Sequence, residues 1–346
     1  MTAFAHAQDG FQISGRVNDL SAERIYLVSE GNGKVDTLGE SPVRKGAFLL
    51  RGNVDSPRLA YLELEGVPGR VPLVLENAVF ALNITKNGAL IQGGTQQEIF
   101  NRFSKLNAEL LGEQARVTRE YRAAEQAKNI SLMESLTREL EQAVKRAREA
   151  EMQLLKQYAD TYVAALVVES GCRDIEPALL KERYAMLGES ARTSLPGQRV
   201  AAYLEVEERL KEGNTLPDFT VLSVSGDSLS LYPVKADLKL VVFWSSTDLS
   251  CRQANVKLLD LYQKYRLKGL EIISLSLDGY PVAWKKAIEL DGMFWKNGWD
   301  HNQSIARRYH ARQLPYAILV DKDHKILVKG TFTPALCDAI ISHAKK

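Results

Sequence analysis

Lys239-Leu-Val-Val-Phe-Trp-Ser-Ser-Thr-Asp-Leu-Ser-Cys-Arg-Gln253 compresses a strand, a turn and a helix start into one short run. Its apolar part, Leu240 to Trp244, has the length and β-branched content of a buried strand. Ser245 to Asp248 read as a polar turn, and a helical pattern that carries Cys251 begins near Ser250. Asp248 is a good cap or first-turn acceptor, and Ser250 with Gln253 makes a Ser-x-x-Gln capping-box pattern. Local hydrogen bonding is therefore expected to specify the helix start.

Around this run the sequence alternates strand and helix. Strands are expected at 219–224, 238–244, 270–277, 316–320 and 325–329, and helices at 251–265, 282–290, 303–309 and from Pro334. Such alternation means an α/β sheet covered by helices. Leu258, Leu261, Tyr262 and Tyr265 give the first helix the spacing of a core-facing stripe. Gly213 and Pro217 punctuate the start of the region, so this domain is set at 213–346. Asp321-Lys322-Asp323-His324-Lys325 lacks the later glycine and glutamate of a calcium loop, and reads as a hairpin turn with Asp323 or His324 at positive φ.

Upstream, in 95–212, glycine and proline become sparse and Ala, Glu, Gln, Arg, Leu and Lys dominate. Leu132, Leu136, Leu140 and Val144 recur every four residues, which predicts long amphipathic helices. A break at Lys128 to Ser131 makes them a hairpin, with Ser131 as N-cap. Further helices are expected up to Tyr158, at 179–187 and at 200–210. A region of this kind packs domains together or presents a partner surface, and a homo-oligomer through it is one expectation. Residues 9–94 alternate with period two at Phe11 and Ile13, Ile25 and Leu27, Phe48 and Leu50, and Leu59 and Tyr61. Gly31-Asn32-Gly33, Lys45-Gly46 and Asn87-Gly88 mark turns between these runs. The chain thus reads as a multidomain α/β protein in which a small all-β domain, sandwich or barrel-like, and a helical region precede the α/β domain.

Several function classes are excluded by composition. Lysine plus arginine number 45 against 43 aspartate plus glutamate among 346 residues, so no net field points to nucleic acid or to an anionic membrane. Lys145, Arg146 and Arg148 alternate with Glu139, Glu141 and Glu149, as on a solvated helix face. No window reaches the length of a membrane span, and the best apolar run is Tyr162 to Val168. His301, His310, His324 and His343 lack metal-ligand spacing with cysteine or carboxylate, and no P-loop or nucleophile-elbow pattern occurs. No metal and no cofactor is therefore expected. Residues 1–8 read as the tail of an export signal, since Ala3-Phe4-Ala5 and Ala5-His6-Ala7 both fit the small-x-small pattern. Cys172, Cys251 and Cys337 are too few and too separated for a disulfide scaffold or a zinc site. Cys337 lies in an apolar helical pattern and is expected to be buried, and Cys172 is placed at a helix end.

These residues together resemble the TlpA/ResA-like branch of the thioredoxin superfamily, bacterial envelope proteins that reduce or exchange disulfides. Pro217-Asp218-Phe219 matches that domain's opening, and Val242-Phe243-Trp244-Ser245-Ser246 matches the strand before its active site. Cys251-Arg252 matches its second cysteine and the residue after it. Leu275-Ser276-Leu277-Asp278, Trp284-Lys285-Lys286-Ala287-Ile288 and Trp295 look like its central insertion. Leu314-Pro315-Tyr316-Ala317-Ile318-Leu319-Val320-Asp321 resembles the segment containing its cis-proline. The β domain is similar to a module of unknown function often found before such domains in exported proteins. The resemblance implies a thioredoxin-like fold for 213–346, a location in the periplasm or cell envelope of a bacterium, and a peptide-binding edge at Trp244, Leu314 and Pro315.

In active members of that branch, the first cysteine of a Cys-x-x-Cys pair is the nucleophile and the second resolves the mixed disulfide. Here Asp248 stands in the nucleophile's place, and Leu249 and Ser250 stand where the family has Gly and Pro. Cys251 keeps the shielded position, and a nearby carboxylate disfavours its thiolate, so a normal or raised thiol pKa is expected. The first reading is a redox-degenerate protein that binds polypeptide, or an envelope protein partner, without two-cysteine turnover. The alternative is a monothiol oxidoreductase or peroxidase-like enzyme with Cys251 as its catalytic residue. Against the peroxidase form, Asp248 occupies the place where a threonine is expected. A third reading puts function in the β and helical regions, with the thioredoxin-like fold as a platform.

Overall fold

The computed structural model describes residues 10–31, 34–172 and 174–345. The export-signal reading of 1–8 lies outside the described residues, as do Asn32 and Gly33 of the first expected turn. Contacts divide the chain into two compact units. One holds the residues up to Gly171 with Leu180–Val200, and the other holds Cys172–Leu179 with the chain from Ala201 onward.

In the first unit, β1 (Phe11–Val17), β2 (Arg24–Gly31), β3 (Lys34–Pro42), β4 (Ala47–Gly52), β5 (Arg58–Leu64), β6 (Val71–Leu75), β7 (Val79–Thr85) and β8 (Gly88–Gln92) form two four-stranded sheets. Their orders are β4-β1-β7-β8 and β3-β2-β5-β6. Ile13, Phe80 and Leu82 of the first sheet share one core with Ile25, Leu27, Leu62 and Leu73 of the second, the packing of a sandwich. Lys45 and Gly46 take φ of 52° and 76° between β3 and β4, the left-handed turn that their identity implied. One strand reverses the expected phase: Ala60, Leu62 and Leu64 of β5 point into the core, and Leu59 and Tyr61 are half-buried on the opposite face. Both faces of β5 are apolar, so alternation alone does not say which one turns inward.

Helices α1 (Thr95–Gln126) and α2 (Ile130–Gln157) form the hairpin, followed by α3 (Tyr162–Ser170), α4 (Pro177–Met186), α5 (Glu189–Thr193) and α6 (Leu195–Arg209). The cap of α2 is Asn129, whose side chain accepts the Leu132 N–H at 3.1 Å; Ser131, the expected cap, already lies inside the helix. Asparagine reaches the N3 amide as serine does, and it sits where the chain turns. Leu136, Ala143 and Leu155 are the buried positions of α2, while Leu132 is exposed.

In the second unit, a sheet of order β10-β9-β13-β12-β11-β14-β15 is built from β9 (Thr220–Ser223), β10 (Ser228–Ser230), β11 (Leu238–Trp244), β12 (Leu270–Ser276), β13 (Lys296–Trp299), β14 (Tyr316–Asp321) and β15 (Ile326–Thr331). Helices α7 (Leu249–Tyr265), α8 (Pro281–Asp291), α9 (Ser304–Arg308) and α10 (Pro334–Ala344) connect or close it. β11 lies between β12, parallel to it, and β14, antiparallel to it. Val241 and Phe243 fill the core on one face, and Leu240, Val242 and Trp244 fill the other against Leu258, Leu261, Tyr262 and Tyr265 of α7. Burial on both faces is why β11 reads as an unbroken apolar run.

β10 and β13 were not among the expected strands. β13 is Lys-Asn-Gly-Trp, which carries no apolar alternation, and it is held by its neighbours. His324 takes φ of 64° in the β14–β15 turn. No disulfide forms among the described residues; Cys172 is buried just after α3, and Cys337 is only half-buried on α10, against expectation. Leu336 and Ile340 turn the helix's buried stripe toward the core and leave Cys337 at its margin.

Gly298 of β13 has no room for a side chain, since a Cβ there would come within 2.5 Å of Val221 and 3.0 Å of Leu275. Gly298→Ala is expected to destabilise the chain by about 1–3 kcal/mol through overpacking. The check is a lower urea midpoint with an unchanged slope; an unchanged midpoint would mean that β9 and β12 yield freely.

Candidate functional site

Past Trp244 the chain leaves the sheet into Ser245-Ser246-Thr247, and this turn is held from beneath by Asp278. The buried Asp278 carboxylate accepts the Ser245 hydroxyl at 2.8 Å and the Ser246 N–H at 3.0 Å, together with the Ser276 hydroxyl at 2.7 Å. The Leu277 N–H donates to the Trp244 carbonyl at 2.9 Å, so β12 and the turn are bound at two levels. A carboxylate with several donors is a strong anchor for a loop that a sheet cannot hold.

Helix α7 then begins at Leu249 with Asp248 as N-cap, its carboxylate accepting the Cys251 N–H at 3.0 Å. The Ser250–Gln253 capping box is not formed, because Ser250 is already within the helix and Asp248 fills the cap. The Cys251 side chain is fully buried in the core around Trp244, Leu258 and Ala317. Its sulfur accepts the Ser245 N–H at 3.5 Å. Burial, and after it the charge of Asp248, pushes the Cys251 thiol up to about 12. Arg252, one residue on, makes a two-pronged pair with Asp291 at 2.6 and 2.7 Å, and Asn255 donates to the same carboxylate at 2.8 Å. These contacts tie the first turns of α7 to the end of α8.

The Leu314–Pro315 peptide is cis. The register that sets Phe243 opposite Tyr316 brings it alongside the end of β11. The Pro315 carbonyl is taken by the Phe332 N–H at 2.8 Å, but among the described residues nothing hydrogen-bonds to the N–H or C=O of Leu314. Leu314 and Ser245 line a cavity of about 470 Å³ together with Leu277, Gln303 and His310. Trp244, expected at the peptide edge, is instead 1% exposed and offers no side-chain surface, because even-numbered residues of β11 face α7. Pro315 is buried as well, so Leu314 is the accessible part of that edge.

Sequence reasoning missed a charged cluster beside this cavity. Glu207, almost fully buried, meets His310 at 2.7 Å, Arg312 at 2.5 Å and Lys329 at 3.0 Å. Tyr203 stacks on the His310 ring at a centroid distance of 4.0 Å. Burial would raise the Glu207 carboxyl, but the hydrogen bonds from His310 and Lys329 outweigh it and hold the group down at about 2. Glu207 lies more than a hundred positions from each of its three partners in sequence, and no local pattern links it to them. Asp278 was quoted only as part of a family-like segment, and nothing in the sequence marks it as the turn's anchor.

Residues 237–326 match a thioredoxin-like family model, and residues 11–100 match a domain of unknown function, DUF4369. A thiol-disulfide oxidoreductase, ResA, of Bacillus thuringiensis is 30% identical over 121 residues, which covers 35% of this chain and 70% of that protein. The chain belongs to the ResA family of thiol-disulfide oxidoreductases. ResA of Bacillus cereus is 29% identical over 133 residues, covering 38% of this chain and 77% of that protein. Among solved structures, the thioredoxin domain of a thiol-disulfide oxidoreductase from Bacteroides vulgatus is 29% identical with a TM-score of 0.37, covering 39% of this chain and 98% of that one. In this ResA-family chain the structure brings Asp248, Leu249, Ser250 and Cys251 to one helix start, just after Ser245, which shares a cavity lining with Leu314.

Two pH effects follow from these environments. Cys251 should resist iodoacetamide in the native chain from neutral pH to about pH 10, with alkylation by mass spectrometry as the check; rapid modification near neutrality would contradict its burial. Its raised pKa contributes stability in full below the ordinary thiol value of 9.0, and that contribution is lost as pH rises toward about 12. Glu207 works in the opposite sense: its contribution is present above the ordinary 4.5 and lost as pH falls toward about 2. Glu207→Gln should therefore lower the denaturant midpoint at neutral pH, and the gap to the wild type should close in acid. A gap independent of pH would show that packing, and not charge, is what Glu207 supplies.

Proposed function

We propose that the thioredoxin-like domain of this chain is a polypeptide-binding or assembly module of the bacterial envelope that does not perform two-cysteine redox turnover. The observation that carries this reading is the Asp248 carboxylate at the first active-site position, spent on the Cys251 N–H at 3.0 Å. Two-cysteine turnover needs one thiolate to attack a substrate disulfide and expel one of its sulfurs, and a second thiolate to displace the reduced product. Asp248 has no sulfur to offer, and Cys251 is fully buried with its thiol held protonated. The same burial speaks against a monothiol enzyme, which needs an accessible thiolate.

Support for polypeptide binding comes from Leu314, whose peptide N–H and C=O have no partner among the described residues at the rim of a cavity of about 470 Å³. An extended segment laid along that edge gains main-chain hydrogen bonds that do not depend on sulfur chemistry. The envelope location is supported by the small-x-small pattern at 1–8 and by the family resemblance. None of the described helices is long and apolar enough to cross a membrane.

A disulfide-reductase assay on the full chain, with Cys251→Ser and Asp248→Cys alongside, is the test. Wild type and Cys251→Ser should show equal background turnover, and Asp248→Cys should gain activity. A cysteine-free unfolded peptide should bind wild type and Cys251→Ser alike. Wild-type turnover that disappears in Cys251→Ser would overturn the proposal.

A further inference from the structure

The first unit holds a cavity of about 920 Å³. We propose that it is a binding site for a small amphiphilic carboxylate, whose anionic end is held by Arg58 and Tyr162. Its volume falls in the range of ligand pockets, and its lining separates into a polar corner and apolar walls.

The polar corner has unused donors. Arg58 opens β5 and lines the cavity; its Nε is buried without a hydrogen-bond partner, so the donors it can offer a ligand are its two Nη groups. Among the described residues no carboxylate pairs with its guanidinium, a group that stays charged and presents five donors. Tyr162 opens α3, and its oxygen accepts the N–H of Leu59, the residue after Arg58, at 2.9 Å. That bond uses the oxygen and leaves the phenol proton without an acceptor among the described residues. Burial pushes the Tyr162 phenol up, so it keeps that proton at neutral pH.

The carboxylates around the cavity do not fill this corner. Glu169 is paired with Arg199 at 3.2 Å, and Glu30 is paired with Arg70. Asp160 caps α5, accepting the Ser190 N–H at 2.7 Å and the Ala191 N–H at 3.3 Å. Asp36 is exposed on β3. That leaves the Arg58 guanidinium and the Tyr162 hydroxyl, which is bonded to the N–H of the residue next to Arg58, and a planar carboxylate matches the guanidinium fork. Pro57, Leu59, Leu166 and Leu195 supply the apolar wall. This also accounts for the reversed phase of β5: its second apolar face, with Leu59 and Tyr61, lines the cavity.

Isothermal titration calorimetry of the full chain tests the proposal, using octanoate against octanamide and acetylated dileucine against its C-terminal amide. At least one acid should bind at one per chain, about tenfold or more tighter than its amide, the scale of one charge-assisted hydrogen bond. Binding by octanoate alone would identify the source as an alkyl acid, and binding by the dipeptide alone as a peptide C-terminus. Arg58→Gln should weaken the acid by about tenfold and leave the amide unchanged, with Tyr162→Phe acting in the same direction. Arg58→Lys, which keeps the charge and loses the fork, should fall between, and thermal melts report whether each variant is folded. Failure of both acids to bind, equal binding of acid and amide, or wild-type affinity in a folded Arg58→Gln would each overturn the assignment.

Discussion

The hydrogen bond from the Cys251 N–H to the Asp248 carboxylate fixes where α7 begins, and the arrangement of the site depends on that point. A helix start carries unsatisfied N–H groups and a partial positive charge, and something negative stabilises it. In a Cys-x-x-Cys protein the first thiolate draws on that stabilisation and becomes reactive. Here the Asp248 side chain takes that position, and on the proposed reading the helix start is kept without the nucleophile. Cys251 stays behind as a buried core residue, packed with Trp244 and Leu258.

The surroundings are built to hold that start in place. β11 is buried on both faces and flanked on both edges, so its end is a rigid platform. Asp278 anchors the turn above it, and Asp291 holds Arg252 and Asn255 of α7 from the side. Beside the cavity, Glu207 gathers three basic partners next to the segment that leads into Leu314. A buried charge left without partners is costly, so this cluster also constrains where Arg312 and His310 sit. These contacts fix the turn and the helix start whether or not the proposed loss of two-cysteine turnover holds.

The parts of this legible in sequence were those specified by local, short-range rules. The apolar run Leu240 to Trp244, the α7 stripe and the turn at Lys45-Gly46 each follow from periodicity or backbone preference. Errors arose where two local signals competed. Asn129 and Ser131 both suit a cap, as do Asp248 and Ser250, and in each pair the residue nearer the turn takes the role. Leu59 and Tyr61 compete with Ala60 and Leu62 for the core because both faces of β5 bury apolar surface. Contacts made only by the tertiary fold had no signal: β13 exists because β9 and β12 border it, and Asp278 and Glu207 gain their partners from distant segments. Trp244 shows the limit of resemblance, since a family position marks a place in the fold and not the direction of its side chain.

The central claim is that Cys251 is a structural thiol under a capping carboxylate. An NMR titration of the Cys251 Cβ in the native chain measures it most directly. The account predicts a single thiol signal with no titration step from about pH 6 to pH 10. A midpoint below the ordinary thiol value of 9.0 would contradict it, because it would show a stabilised thiolate at a position read as buried and inert.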